Sequence, residues 1–303
     1  MEGEPSVCAV IVGYENGNGI LSSAHEVLNS SYRNLFVLAI NNGRQKRREV
    51  VREGATSEFV NTGSNLGFAS ACNVGARLAL SRGFNFILFM NDDVLLERGC
   101  VSKMVAEMVK RPKVGLLCPV VLDHSGSVES AGDRFNGWFG LSLHNANGRR
   151  FEDVCGTSPR VDFAPLVASM VRAEALKEVG FMDERYFMYV EDIDLSIRVK
   201  DAGHLVSCLT ETFVRHASSS TSMRFPGIKQ YYMTRNLFLL LRNQRKIAQL
   251  VGLAFSLPLT TLIRIVKRRH EIGLPELKGL FRGFKDGIGF KQGPSDREEY
   301  RPP

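Results

Sequence analysis

The chain has 303 residues, 44% of them hydrophobic, which is enough for one large α/β domain with an appendage and excludes disorder outside the ends. Its net charge of +7 is unevenly placed: residues 242–291 carry eleven Lys and Arg against three acids, so the rest is close to neutral. That pattern argues against a nucleic-acid-binding face and for an anionic partner at the C-terminal end.

Six cysteines, at 8, 72, 100, 118, 155 and 208, lack Cys-x-x-Cys or metal-finger spacing, which predicts free thiols in a reducing compartment. The acidic start Met1 to Ser6 leads straight into an apolar run, so no secretory leader is expected, and the active site is expected in the cytosol.

Val7 to Val12 reads as a strand ending at Gly13-Tyr14, followed by Glu15 to Gly19 and a helical pattern to about Asn29. Leu35 to Ile40 repeats the strand signal and ends at Asn41-Asn42, after which a charged segment runs to Glu53. Ser57 to Asn61 is a third strand, Leu66 to Leu80 a helix, and Phe86 to Met90 a buried strand tipped by Asn91-Asp92-Asp93. This alternation predicts a parallel sheet flanked by helices, with functional loops at the strands' carboxyl ends. The polar tips Tyr14 to Asn16, Asn41-Asn42 and Asn91 to Asp93 are therefore expected in one crevice. The loop Thr62 to Gly67, with Asn65 as a plausible helix cap, faces it as well. Glycines 13, 17 and 19 do not make a dinucleotide fingerprint.

Carboxylates at a strand tip suit a hard divalent cation that leaves positions for substrate phosphates, which points to a nucleotide diphosphate. The same tripeptide is also ordinary turn and cap chemistry.

Beyond residue 112, Val114 to Pro119 reads as a strand, 120–160 as short antiparallel strands and loops, Val161 to Val171 as a return to the sheet, and Ala173 to Val179 as a helix. From Ile193 to Val199 apolar residues alternate as in a strand. Acids early (Glu191, Asp192, Asp194), bases late (Arg198, Lys200) and Gly203 favour a helix. Those acids complement a helix dipole; alternatively, Asp192 is a general base aimed into the crevice. Leu205 to Val214 is a strand followed by His216, a permitted ligand for Mn²⁺ if its strand joins the same sheet.

The ordered set Asn65-Leu66-Gly67-Phe68-Ala69, Met90 to Val94, Val161-Asp162-Phe163, Gly180 to Phe187, Glu191 to Leu195 and His216 resembles the family 2 inverting glycosyltransferases, particularly their rhamnosyltransferase-like branch. The resemblance implies an α/β fold of GT-A type, with a mainly parallel nucleotide-binding sheet flanked by helices. It also implies Mg²⁺ or Mn²⁺ and a nucleotide-diphosphate sugar as donor. Asn91 and Asp93 match the outer positions of the family's Asp-x-Asp motif, placing Asn91 near the ribose and Asp93 on the metal, with His216 as the late metal-site histidine. Asp192 matches the catalytic base and Glu191 the residue orienting the acceptor. Tyr14 and Asn65 match the nucleotide pocket; Glu15, Asn41, Gly67 and Asp92 complete the expected donor-binding set. Asn41 replaces the family's usual Asp, Glu15 its usual Asn, and Leu166 a small Gly, so these positions bear on donor identity.

The expected organisation is a catalytic domain over 1–240, with a nucleotide-sugar half to about 120 and an acceptor half beyond it, then a basic amphipathic helical segment over 241–303. Ile247 to Val266 contains Gln249, Pro258 and Arg264 and is followed by Lys267-Arg268-Arg269, which reads as an interfacial helix on the cytoplasmic face of an anionic membrane. The alternative is a pair of helices packing on the catalytic domain or on a second subunit in a homo-oligomer. The expected activity is transfer of a rhamnose-like deoxyhexose or hexose to a glycan or polyprenyl-linked glycan. Two rivals are a catalytically silent glycan- or membrane-binding relative and a sugar-phosphate nucleotidylyltransferase. The latter is disfavoured because no Lys or Arg stands between Val12 and Tyr32 to meet a triphosphate.

Overall fold

A computed structural model describes residues 3–14, 17–44, 57–217, 227–267, 273–297 and 300. The charged stretch after Asn42, from residue 45 to 56, lies outside them, as does Glu15. Strand β1 (Val7–Gly13) is buried along its whole length because it pairs in parallel on both sides, with β2 (Leu35–Asn41) and with β4 (Phe86–Asn91). β3 (Ser57–Asn61) extends this parallel half beyond β2.

The second half of the sheet is mixed. β10 (Ala168–Arg172) runs antiparallel between β4 and β6 (Val114–Leu122), and β6 pairs in parallel with β11 (Leu205–His216). β11 in turn takes β5 (Val94–Leu96) antiparallel at its outer edge, and β7 (Val128–Ser130) pairs with β6. β8 (Asp133–Asn136) and β9 (Leu141–His144) form a separate hairpin. The apolar run beginning at Val161 joins the sheet only at Ala168; before it, Phe163 makes a single bridge to Asp133.

Strand alternation sends Val7, Ala9 and Ile11 to one face and Cys8, Val10 and Val12 to the other. Helices α1 (Gly17–Leu28) and α3 (Cys100–Lys110) cover the first. Helices α2 (Phe68–Ser81), α4 (Ala173–Val179) and α5 (Glu191–Asp201) cover the second. The segment that alternates from Ile193 is thus helical: its charges, acidic in the first turn and basic in the last, follow the helix dipole.

Helix α6 (Ile228–Asn243) is buried along most of its length and carries α7 (Ile247–Lys267) and α8 (Leu274–Ile288). Among the described residues no helix is long and apolar enough to cross a membrane.

Candidate active site

The tips of β1 and β4 open into a cleft of about 310 Å³ lined by Tyr14, Asn42, Asn65, Asn91, Asp92, Asp93, Glu129, Glu191, Asp192 and His216, among others. Sheet register brings Asp93 and His216 together. β5 follows Asp93 directly and pairs Val94 with His216, and the Ala217 N–H donates to the Asp93 carbonyl at 2.9 Å. Asp93 Oδ1 and His216 Nε2 stand 3.4 Å apart, both buried and neither with a hydrogen-bond partner among the described residues.

Glu129, from β7, meets the other ring nitrogen, Nδ1, at 3.0 Å and so leaves Nε2 as the atom facing Asp93. Burial by itself would lower the imidazole, but Asp93 and Glu129 outweigh it and raise the ring to about 9. The two carboxylates thus favour positive charge at the ring, and a metal ion at Nε2 would have to displace its proton.

Of the expected donor-binding residues, Tyr14, Asn65, Asn91 and Asp92 line the cleft, whereas Asn41 and Gly67 do not. Successive strand residues point opposite ways. Asn41 is wholly buried with its amide 3.5 Å from Asn61 Oδ1, and its neighbour Asn42 takes the cleft position. Asn42 also ties the 65–67 loop, accepting from Leu66 N–H at 2.9 Å and donating to Asn65 Oδ1 at 3.2 Å. Gly67 has φ +85°, and a Cβ there would lie 2.4 Å from the Phe187 carbonyl, so it serves the close approach of that segment.

Phe187 leads into the other wall, which begins at Met188. Phe187, Tyr189 and Val190 all have positive φ, at 66°, 65° and 76°, in the turn that delivers Glu191 and Asp192 to the first turn of α5. Such backbone persists only when its surroundings hold it, and here α6 does. Asn236 Nδ2 donates to the carbonyls of Tyr186, Met188 and Tyr189 at 2.8–3.0 Å. Arg235, itself buried, donates to Tyr186 O at 2.9 Å and to Asn236 Oδ1 at 2.9 Å, with its guanidinium 4.7 Å from the Tyr232 ring centre.

The model of glycosyl transferase family 2 matches residues 8–180, more than half of the chain. The chain belongs to glycosyl transferase family 2. This glycosyltransferase is 26% identical over 286 residues to the dTDP-rhamnosyl transferase RfbF of Shigella flexneri, covering 88% of this chain and 90% of that one. It is 28% identical over 185 residues to the N-acetylglucosaminyl-diphospho-decaprenol L-rhamnosyltransferase of Mycobacterium tuberculosis, covering 55% and 60%.

Among solved structures, Staphylococcus aureus TarS in complex with UDP-GlcNAc superposes with a TM-score of 0.57 at 13% identity, covering 94% of this chain and 81% of that one. The mannosyltransferase PcManGT of Pyrobaculum calidifontis, in complex with GDP-Man and Mn²⁺, gives 0.56 at 12%, covering 95% and 81%. These likenesses establish the GT-A fold.

In the glycosyltransferase's own cleft the two α5 carboxylates are far from ordinary. Burial, with the neighbouring Asp192 charge, pushes Glu191 well up, and Glu191 Oε2 has no hydrogen-bond partner among the described residues. Burial also raises Asp192, to about 6, against the pull of the Ile193 N–H that donates to its Oδ1 at 2.8 Å.

Sequence reasoning passed over Glu129 and Lys229 in the lining, and the Arg235-Asn236 pair behind it. Glu129 lies in a polar stretch with nothing to mark it. The pair does carry a signal: a charge and an amide in the middle of the apolar run Tyr231 to Leu241.

Proposed function

We propose that this glycosyltransferase moves a rhamnose-like deoxyhexose from a nucleotide-diphosphate donor, dTDP-linked as in the name of the Shigella relative, to a hydroxyl of a lipid-diphosphate-linked glycan, with inversion. The observation that carries this reading is one cleft lined both by the Asp93–His216 pair, two buried atoms 3.4 Å apart without hydrogen-bond partners among the described residues, and by a helix-terminal carboxylate raised by burial.

The donor set fits a divalent cation. A carboxylate oxygen and an imidazole nitrogen suit Mn²⁺ or Mg²⁺. Among the described residues no third His, Cys, Asp or Glu closes a cage, which leaves coordination positions for diphosphate oxygens and water. Such an ion, when bound, neutralises charge on the departing diphosphate. Asp93 and His216 would hold it, with Glu129 fixing the ring. Lys229, exposed at the cleft, adds a cation for the same anion.

The acceptor hydroxyl attacks the anomeric carbon as the bond to the diphosphate oxygen breaks, and its proton passes to Asp192. A single displacement with one base inverts that carbon. Burial strengthens Asp192 as a base by disfavouring its charged form. Glu191, whose Oε2 has no hydrogen-bond partner among the described residues, would bind the acceptor, and Leu166 at the cleft bears on which sugar the donor carries. The transfer is assigned to the cytoplasmic face of the membrane, where a lipid-linked acceptor would be presented.

The test is calorimetry with dTDP, UDP and GDP, each with and without Mn²⁺, followed by turnover with the matching sugar nucleotide and nuclear magnetic resonance of the product anomer. Metal-dependent binding of dTDP and an inverted product are expected. Failure of every nucleotide to bind would instead favour a silent glycan-binding relative.

A further inference from the structure

Helix α8 is mounted inside out. Its inward stripe is Gly279, Gly283 and Gly287: added Cβ atoms would fall 2.3 Å from the Gly227 carbonyl, 2.5 Å from the Tyr231 carbonyl and 2.5 Å from the Phe238 ring. Only glycine allows this approach to α6, so the stripe sets which way α8 is rotated. Asp286, on the same side, accepts from the Tyr231 hydroxyl at 2.9 Å.

The opposite side therefore points away from the protein, and it is the apolar one. Leu274, Phe281 and Ile288, seven residues apart and so in one line along the helix, are 74%, 70% and 49% exposed. Lys278 and Lys285 are exposed beside that line and Arg282 half-exposed, while both acids of the helix, Glu276 and Asp286, fall on the glycine side of the wheel. A second exposed line runs along α7 through Ile247, Val251 and Phe255, the last 80% exposed.

We propose that the outward face of α8 is a docking surface for an anionic phospholipid bilayer. A helix that presents large apolar side chains interleaved with cations lies at a lipid interface, with apolar groups entering the acyl boundary and Lys and Arg among the headgroups. Charge decides between a bilayer and a second copy of the chain. A two-fold contact through this line would bring Lys278, Arg282 and Lys285 against their own copies, whereas an anionic surface neutralises all three. The inference adds a partner to the proposed transfer without depending on it, since lipid binding and nucleotide binding are read separately.

The experiment is co-sedimentation of the full chain with vesicles of phosphatidylcholine containing phosphatidylserine, and with vesicles of phosphatidylcholine alone. Binding to the anionic vesicles and little to the neutral ones is expected. Replacing Lys278, Arg282 and Lys285 together by Gln should weaken binding on the order of 100-fold, at about fivefold for each near-surface charge. Phe281→Ser should weaken it by about tenfold through lost apolar burial. Unchanged circular dichroism and thermal unfolding in both variants would show that the fold is intact. Equal binding of wild type and variants, or a dimer in solution that Phe281→Ser dissociates, would overturn the proposal.

Discussion

The two walls of the cleft are built on different principles. On the strand-tip wall, Asp93 stands in the turn just before β5 and His216 ends β11, so the β5–β11 register and the Ala217 N–H bond to the Asp93 carbonyl set their separation. On the other wall, Glu191 and Asp192 follow a turn with three left-handed non-glycine residues, each costing on the order of 1–3 kcal/mol. That turn is held by Arg235 and Asn236, from a helix far along the chain. Charge-binding groups can sit on regular structure because their loads are carried by ordinary sheet hydrogen bonds. Aiming a buried carboxylate needed an irregular backbone, and an irregular buried backbone needs side chains to satisfy its carbonyls.

This contrast makes quantitative predictions. The largest effect should come from Asp192→Asn, which removes the proposed base and no donor contact: turnover falls by about 10²- to 10⁴-fold, while calorimetry finds nucleotide affinity near that of the wild type. Equal loss of binding would move Asp192 to the donor side of the site. Asp93→Ala should do the reverse and abolish the metal-dependent part of nucleotide affinity. The same affinity with and without Mn²⁺ in the wild type would remove Asp93 from that role.

Glu129→Gln tests the support of the first wall. Weaker orientation of His216 should cost about 10- to 100-fold in metal affinity, read from the Mn²⁺ concentration needed for nucleotide binding. Asn236→Ala tests the support of the second. It takes a donor from the Met188 and Tyr189 carbonyls while Tyr186 O keeps Arg235, and about 2–3 kcal/mol of stability should be lost in denaturant titrations. Below its unfolding range the variant should show a lowered kcat and a shifted acid limb with unchanged donor KM. A fall in activity that only tracks the folded fraction would reduce Asn236 to a stability element.

The mildest probe is pH. Asp192 must be ionised to accept a proton, and burial raises its carboxyl to about 6. Below that value the protonated, inactive form accumulates, so kcat should rise about tenfold per pH unit up to about pH 6 and then level. A profile already flat at the ordinary carboxylate range would mean that Asp192 is better solvated than the cleft indicates.

Legibility in the sequence followed locality. β1, β2, β3 and β4 with their flanking helices were readable because each unit pairs with neighbours close in the chain, and the polar tips follow the apolar runs directly. The helix at Glu191–Asp201 was readable from its charge order even though its apolar residues alternate. The insertion of β10 between β4 and β6 was not readable, because an antiparallel strand from so far along the chain leaves no periodic mark of where it will pair. Asn41 against Asn42 was a matter of one residue in strand phase, which flips a side chain between core and cleft.

By itself, then, the sequence determined the alternating α/β half, the carboxylates that end β4 and begin α5, and the family to which their order points. Those features rest on hydrophobic period and on residues adjacent in the chain. Only the tertiary structure decided that His216 faces Asp93, that Glu129 orients it, that Arg235 and Asn236 hold the turn before Asp192, and that α8 turns its apolar side outward. Each of these depends on contacts between segments distant in sequence, where register, burial and steric fit, and not local propensity, choose the partner.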